Sequence, residues 1–126
     1  MQGTETILLV EDDLQVRNLA RTILEGLGYT VLAASDGEEG LQLLETCTSE
    51  PHLLLTDVVM PNMDGRRLFE LVLARIPGTR VLYMSGYTNN VIAHRGVLDF
   101  GVHFIQKPFS VQALALKVRE VLEEKS

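Results

Sequence analysis

The fold is decided by the stretch Leu53-Leu-Leu-Thr-Asp-Val-Val-Met-Pro-Asn-Met-Asp-Gly65, in which an apolar run stops at a carboxylate. The run Leu53–Thr56 predicts a buried strand, because a short apolar segment bounded by polar and turn residues fits a strand covered on both faces. Asp57 follows it directly, and Asp64 is placed to cap a helix predicted over Arg66–Ile76. The stretch therefore predicts a strand that delivers a carboxylate to its end, followed by a helix.

On either side of this stretch, short apolar runs alternate with longer segments of helical spacing. The other predicted strands are Ile7–Val10, Thr30–Ala34, Arg80–Met84 and His103–Ile105. Five strands that alternate with helices predict an α/β fold, a doubly wound five-stranded parallel sheet with helices on both faces. In such sheets a binding site lies at the carboxyl ends of the strands.

The predicted helices follow from three- and four-residue spacing of apolar side chains. One stripe is Val16, Leu19, Ala20, Ile23, Leu24 and Leu27, ended by Gly28, and a second is Val111, Leu114, Ala115, Val118, Val121 and Leu122. Shorter patterns are Leu41–Cys47, which Asp36 can cap, and Thr88–Leu98, where Asn89, Asn90 and Gly96 predict a short or frayed helix. Ser110 is placed to cap the C-terminal helix.

The length of 126 residues indicates one compact domain, residues 1–126 with a core of about 6–124, and the 46% of apolar residues are enough to build its hydrophobic core. A net charge of −6 argues against nucleic-acid binding. A single cysteine, Cys47, excludes a disulfide framework, and we interpret it as a packed or half-exposed thiol without a catalytic role. No signal peptide and no membrane-spanning run is visible, so a cytoplasmic location without membrane insertion is expected.

Polar residues follow four of the five predicted strands. Glu11, Asp12 and Asp13 follow the first, and Asp57, Ser85 and Lys107 follow the third, fourth and fifth in that order. Crowded carboxylates repel each other, and a hard divalent cation such as Mg²⁺ relieves that repulsion. The lysine adds a positive charge that can hold a phosphoryl oxygen. The strand ends therefore predict a site for phosphoryl transfer.

Four motifs in this order resemble the receiver domain of two-component response regulators. They are Ile7-Leu-Leu-Val-Glu-Asp-Asp13, Leu54-Leu-Thr-Asp-Val-Val-Met-Pro-Asn-Met-Asp-Gly65, Met84-Ser-Gly86 and Gln106-Lys-Pro-Phe109. Each motif is only moderately specific, but the ordered set spans nearly the whole chain. The resemblance implies a flavodoxin-like sheet with strand order 2-1-3-4-5.

The resemblance also implies the roles of the acidic residues. Asp57 would be the phosphoacceptor, modified by a phosphohistidine donor. Mg²⁺ would be bound by Asp12, by Asp57 and by the backbone carbonyl of Val59, and by Glu11 through water. Asp13 would cap the first helix.

Further roles implied by the resemblance concern the last two strands. Ser85 would hydrogen-bond the phosphoryl group, Lys107 would pair with it, and the Lys107–Pro108 peptide would be cis. Ser85 and Phe104 would form a switch that changes the surface made by the Thr88–Leu98 helix, the last strand and the C-terminal helix.

The implied partner is a histidine kinase or a histidine phosphotransfer protein, and the implied oligomeric state is a monomer or a weak phosphorylation-dependent dimer. The run Val81-Leu-Tyr-Met-Ser-Gly-Tyr-Thr88 is similar to receivers at the C-terminal end of hybrid sensor histidine kinases. The chain is accordingly expected to be an excised domain of such a kinase or a free-standing regulator. As a receiver it would not be an enzyme that acts on other substrates, and it would catalyse only its own phosphorylation and dephosphorylation.

Two other interpretations remain open. A haloacid-dehalogenase-like phosphatase also uses an Asp nucleophile with Mg²⁺, but that family places a second Asp two residues later, where this chain has Val59. A pseudo-receiver would act by interaction alone, but such proteins lose the acceptor or the acidic pair. Dinucleotide binding is excluded because no glycine-rich turn follows the first strand. His52, His94 and His103 have no metal-ligand spacing.

Overall fold

A computed structural model describes residues 3–86 and 103–124. Within these ranges the strands are β1 Thr6–Val10, β2 Thr30–Ala34, β3 Leu53–Asp57, β4 Arg80–Ser85 and β5 His103–Gln106. The helices are α1 Leu14–Gly26, α2 Gly37–Thr46, α3 Gly65–Arg75 and α4 Val111–Glu123. The helix predicted over Thr88–Leu98, and His94 within it, lie outside the described residues.

The five strands form one parallel sheet in the order β2-β1-β3-β4-β5, which confirms the predicted topology. β1 pairs with β3 so that Val10 lies beside Thr56, and β3 pairs with β4 so that Asp57 lies beside Met84. Because the strands are parallel, their carboxyl ends share one edge of the sheet. The predicted site residues follow those ends.

The sheet is covered on both faces, as the unbroken apolar strands predicted. On one face Leu9 and Leu55 pack with Leu24 of α1 and Leu114 of α4. On the other face Leu8, Val10 and Leu54 pack with Leu68 and Val72 of α3. Successive side chains of a strand point to opposite faces, so β1 and β3, which are buried along their whole length, supply both cores.

All four predicted helix caps are confirmed. Asp13, Asp36 and Asp64 accept hydrogen bonds from main-chain N–H groups of the first turns of α1, α2 and α3, and Ser110 does so for α4. These bonds satisfy donors that have no partner inside a helix. Gly28 has a φ of 101°, and a Cβ there would lie 2.5 Å from the carbonyl oxygen of Gly3, so glycine is required where the chain turns back after α1.

Three details of the helix predictions were wrong. α2 begins at Gly37, four residues before the predicted start, because Asp36 caps it and Glu39 accepts hydrogen bonds from Ser35. Cys47 is the C-cap that follows the helix, instead of lying in it. Leu19 and Val111, assigned to buried stripes, are 48% and 56% exposed, because only the inner part of each stripe reaches the sheet.

An ion-pair network joins the segment before β1 to helix α4. The Arg119 guanidinium binds both carboxylate oxygens of Glu5, at 3.1 and 2.8 Å, and also donates to the Tyr29 hydroxyl. The hydrogen bond from Arg119 holds the pKa of Glu5 at about 2.

Across residues 3–86 and 103–124, no helix has both the length and the apolar character needed to cross a membrane.

Candidate functional site

The acidic residues after β1 meet the acidic residue at the end of β3. Glu11, Asp12 and Asp57 each place a carboxylate oxygen within 4.8 Å of the others, as the strand-end argument predicted. Glu11 is fully buried and the Asp57 side chain is only 5% exposed, whereas Asp12 lies at the surface. Three carboxyl groups therefore share a small volume that opens to solvent on the side of Asp12.

Lys107 reaches this cluster from the turn after β5. Its Nζ lies 2.7 Å from Oδ1 of Asp57 and 2.9 Å from Oε1 of Glu11. The Lys107 N–H also donates to the Ser85 carbonyl at 2.7 Å, and the Lys107–Pro108 peptide bond is cis. The turn thus fixes the direction in which the lysine side chain leaves the backbone.

The site carries more negative than positive charge, and the pKa values show the consequence. Burial, reinforced by Glu11 and opposed by Lys107, raises the pKa of Asp57 to about 8. Burial also tends to raise the pKa of Glu11, but hydrogen bonds with Asp57, the Asp13 N–H and Lys107 lower it below its usual range. Burial and the neighbouring Glu11 raise the pKa of Asp12. The raised pKa of Asp57 indicates that the cluster, without a metal ion, keeps a proton near neutral pH that its coupled carboxyl groups share.

The side chain of Asp13 caps helix α1 and does not join the carboxylates of Glu11 and Asp12. Its Oδ1 accepts hydrogen bonds from the N–H groups of Gln15 and Val16 at 2.9 and 3.1 Å, so its side chain is engaged at the start of α1. Its own N–H donates to Oε2 of Glu11 at 2.9 Å. The structure thus separates Asp13, a cap, from Glu11 and Asp12, which face Asp57.

The remaining predicted residues surround the same edge. Ser85 ends β4, one residue beyond Met84, which pairs with Asp57 in the sheet. Val59 lies two residues after Asp57, 56% exposed, in the loop that leads to α3. Phe104 lies on β5 with its ring centroid 5.9 Å from that of Tyr83, and it is partly buried against the α2–α3 side of the core.

The residues present fit a divalent cation. Oδ2 of Asp57 is buried and has no hydrogen-bond partner among the residues that the structure describes, although a buried carboxylate oxygen normally has one. The donor set consists of hard oxygen atoms, which suits Mg²⁺ better than a soft transition metal. Asp12 and Asp57 can ligate such an ion directly, and its charge would relieve the repulsion between the three carboxyl groups.

Two contributors to the site were missed at the level of sequence. Nη1 of Arg17 donates to the backbone carbonyl of Glu11 at 2.7 Å. Gly65 packs so closely against Asp57 that a Cβ on Gly65 would overlap the Asp57 backbone carbonyl oxygen. A glycine at the start of a helix, where most residue types serve better, was the available signal for the second contact.

Comparison with known proteins gives a consistent result. The family described as the response regulator receiver domain matches residues 7–119. The chain is 37% identical over 124 residues to the sensor kinase CckA of Brucella abortus (strain 2308), covering 98% of this chain and 13% of that kinase. The chain thus spans a small part of this curated relative.

Two solved structures extend the comparison to three dimensions. The receiver domain from the hybrid histidine kinase CckA is similar with a TM-score of 0.76 and 34% identity, over 94% of this chain and 99% of that one. A CheY-like receiver domain protein from Methanospirillum hungatei JF-1 is similar with a TM-score of 0.78 and 31% identity, over 96% and 95% of the two chains. With the acidic site at the strand ends, these matches show that the chain belongs to the response regulator receiver domain family of two-component systems.

Proposed function

We propose that this receiver domain accepts a phosphoryl group on Asp57 from a phosphohistidine, with Mg²⁺ as the cofactor. The observation that supports this assignment best is the pair of Asp57 oxygens. Oδ1 is held by Lys107, while Oδ2 is buried without a partner among the described residues. The chain is a receiver domain and not the catalytic core of a kinase. We further propose that the donor is a histidine kinase or a histidine phosphotransfer protein in the cytoplasm.

The chemistry assigned to Asp57 is nucleophilic. A carboxylate oxygen of Asp57 attacks phosphorus, a P–O bond forms, and the P–N bond of the phosphohistidine breaks with its electron pair leaving on the imidazole. The product is an acyl phosphate. Mg²⁺, held by Asp12, Asp57 and the Val59 carbonyl, and by Glu11 through water, would supply positive charge to the phosphoryl oxygens.

Lys107 and Ser85 are assigned to the transferred group. The ammonium of Lys107, already 2.7 Å from Asp57, can follow the negative charge from the carboxylate onto a phosphoryl oxygen. The hydroxyl of Ser85 donates to another. We propose that Phe104 changes its conformation when Ser85 moves toward the phosphoryl group. The Phe104 ring lies beside that of Tyr83 on the neighbouring strand β4. One or two charge-assisted hydrogen bonds, worth roughly 1.5–3 kcal/mol each, can bias two conformations that are close in free energy.

Phosphorylation of Asp57 is tested with acetyl phosphate and Mg²⁺. We expect the wild-type protein to gain one phosphoryl group by intact-mass spectrometry, and Asp57→Asn to gain none, because an amide is not a nucleophile here. The adduct should be alkali-labile, as acyl phosphates are. Asp64→Asn makes the same chemical change seven residues later, where the loop after β3 meets α3, and should be labelled like wild type, since Asn still caps α3.

Undiminished labelling of Asp57→Asn would show that another residue is the acceptor. Multiple turnovers of a generic phosphate ester by the wild-type protein would instead favour a phosphatase. If the wild-type protein were folded but gained no phosphoryl group from acetyl phosphate, the result would favour a domain that acts by interaction alone.

The metal assignment is tested by comparing two adjacent carboxylates. Asp12→Ala should weaken Mg²⁺ binding by about tenfold or more, because a direct ligand is lost. Asp13→Ala should leave Mg²⁺ affinity close to wild type, because the Asp13 side chain caps α1. It should instead cost about 1 kcal/mol of unfolding free energy. Both Mg²⁺ affinities are measured by titration followed by NMR. Equal losses of affinity in the two variants would show that the metal ligands are wrongly assigned.

The wider setting of the domain is also a proposal. Because the chain is 37% identical over 124 residues to the Brucella sensor kinase CckA, we propose that it functions as the receiver module of a hybrid kinase. We propose that it acts as a monomer or weak phosphorylation-dependent dimer and does not itself bind nucleic acid, in keeping with its charge of −6. Sequencing the reading frame upstream of residue 1 tests the first of these statements.

A further inference from the structure

Arg17 makes a contact that none of the assigned roles explains. It lies in the first turns of α1, half-buried, and its Nη1 donates to the carbonyl oxygen of Glu11 at 2.7 Å. That carbonyl lies just beyond the end of β1. A main-chain acceptor in a buried residue needs a donor, and Arg17 provides it.

The contact completes a set of four hydrogen bonds that hold Glu11. Its N–H donates to the Ala34 carbonyl at 3.1 Å, and its carbonyl accepts from Arg17. Its Oε2 accepts from the Asp13 N–H at 2.9 Å, and its Oε1 accepts from Lys107 at 2.9 Å. The turn formed by residues 11–13 is thus held by hydrogen bonds to strand β2, to helix α1 and to Lys107, and by one hydrogen bond inside the turn itself.

We propose that Arg17 is a positioning residue of the phosphoacceptor site. Its guanidinium fixes the turn of residues 11–13, so that the side chains of Glu11 and Asp12 face Asp57 in the geometry that a divalent cation needs. Arg17 binds the backbone of Glu11 and therefore acts through the turn. The inference rests on the proposed function where it concerns Mg²⁺.

Electrostatics and positioning make opposite predictions for Mg²⁺ affinity. A cationic side chain near an acidic cluster repels a divalent cation, so removing its charge should strengthen Mg²⁺ binding. Removing a group that orients the ligands should weaken binding, as the loss of outer partners does at other metal sites. The sign of the change therefore separates the two roles.

The test compares Arg17→Gln and Arg17→Lys with Arg21→Gln. Arg21 is one turn further along α1 and pairs with Glu25 at the surface, so the control makes the same chemical change on the same helix. Two quantities are measured: Mg²⁺ affinity by titration, and hydrogen exchange of the Asp13 amide in the metal-free protein by NMR. The second reports the turn directly, because that amide donates to Glu11.

We expect Arg17→Gln to bind Mg²⁺ about tenfold more weakly than wild type. We expect its Asp13 amide to exchange about tenfold faster, the effect of losing one hydrogen bond. Arg17→Lys keeps one donor and should recover part of both losses, and it also serves if Arg17→Gln does not fold. Arg21→Gln should match wild type in both measurements.

Unchanged or tighter Mg²⁺ binding in Arg17→Gln overturns the inference, and so does an Asp13 amide that exchanges at the wild-type rate. Equal effects in Arg21→Gln overturn it too, since they would reflect charge or helix stability in general. If wild type bound no Mg²⁺, the metal assignment itself would fail, and exchange at Asp13 would alone decide whether Arg17 fixes the turn.

Discussion

The metal-free protein is expected to lose stability as the pH rises from about 4 to about 8, and Asp57→Asn is expected to remove most of that loss. Burial and the neighbouring Glu11 raise the pKa of Asp57 from 3.8 in the unfolded chain to about 8 in the fold. The native state therefore binds a proton that the unfolded state has released, and unfolding becomes easier as pH rises through this window.

Urea unfolding with a chelator at pH 5 and pH 8 measures this effect. At pH 8, Asp57→Asn should have a free energy of unfolding about 2 kcal/mol above wild type. This value is well below the one that the whole pKa shift of Asp57 would give, because the coupled carboxyl groups share the proton. The difference between the two proteins should be smaller at pH 5. Comparing variants removes the contribution of groups such as Glu5, whose lowered pKa acts only at strongly acid pH.

Mg²⁺ should reverse the trend in wild type, because the ion replaces the proton among the carboxylates. Its affinity should rise with pH up to about 8, and stability in excess Mg²⁺ should rise by mass action. Asp64→Asn, outside the cluster, should keep the wild-type profile. Identical pH profiles for wild type and Asp57→Asn would contradict the assignment of the shared proton to Asp57.

Gly65→Ala is expected to destabilise the domain by about 3 kcal/mol. A Cβ at Gly65 would overlap the Asp57 backbone carbonyl, and main chain cannot move aside as a flexible side chain can. Gly65 N–H also donates to the Val58 carbonyl at 2.8 Å, so strand β3 and helix α3 are tied at this point. Relief of the overlap requires Asp57 to shift, and phosphorylation by acetyl phosphate should slow as well.

Gly26→Ala is the matched control. Gly26 ends helix α1, and a Cβ there meets nothing within 4 Å. Alanine should leave stability unchanged or raise it by up to about 1 kcal/mol, because it restricts the unfolded chain and favours helix. Similar urea midpoints for the two variants would show that the contact at Gly65 does not constrain the fold.

Much of the architecture was predictable because local and global signals agree. Continuous apolar strands such as Leu53–Thr56 fit only a sheet buried on both faces, and the carboxylates after them mark its functional edge. The caps at Asp13, Asp36, Asp64 and Ser110 were readable because a short polar side chain preceded each helical pattern. The family resemblance then gave the strand order and the roles of individual residues.

The features that were missed depend on distance and not on pattern. The early start of α2 was obscured by Gly37 and Gly40, which are poor helix formers but are buried, Gly37 against Met63 of the loop after β3 and Gly40 against Val10 of the sheet. The exposure of Leu19 depends on how wide a face α1 presents to the sheet. The bond from Arg17 joins a side chain to a main-chain oxygen six residues earlier, and composition and periodicity do not encode such a contact.

The tie between Glu5 and Arg119 has a consequence for how such a module is reused. Because residue 5 precedes the first strand and residue 119 lies in the last helix, the chain enters and leaves the domain at neighbouring points. Those points lie at the edge of the sheet away from Asp57, where β1 begins. A host protein can therefore carry the domain as an insertion or an appendage without rerouting its own chain past the acceptor. The Glu5–Arg119 ion pair thus holds residues 5 and 119 together on the side of the sheet opposite Asp57.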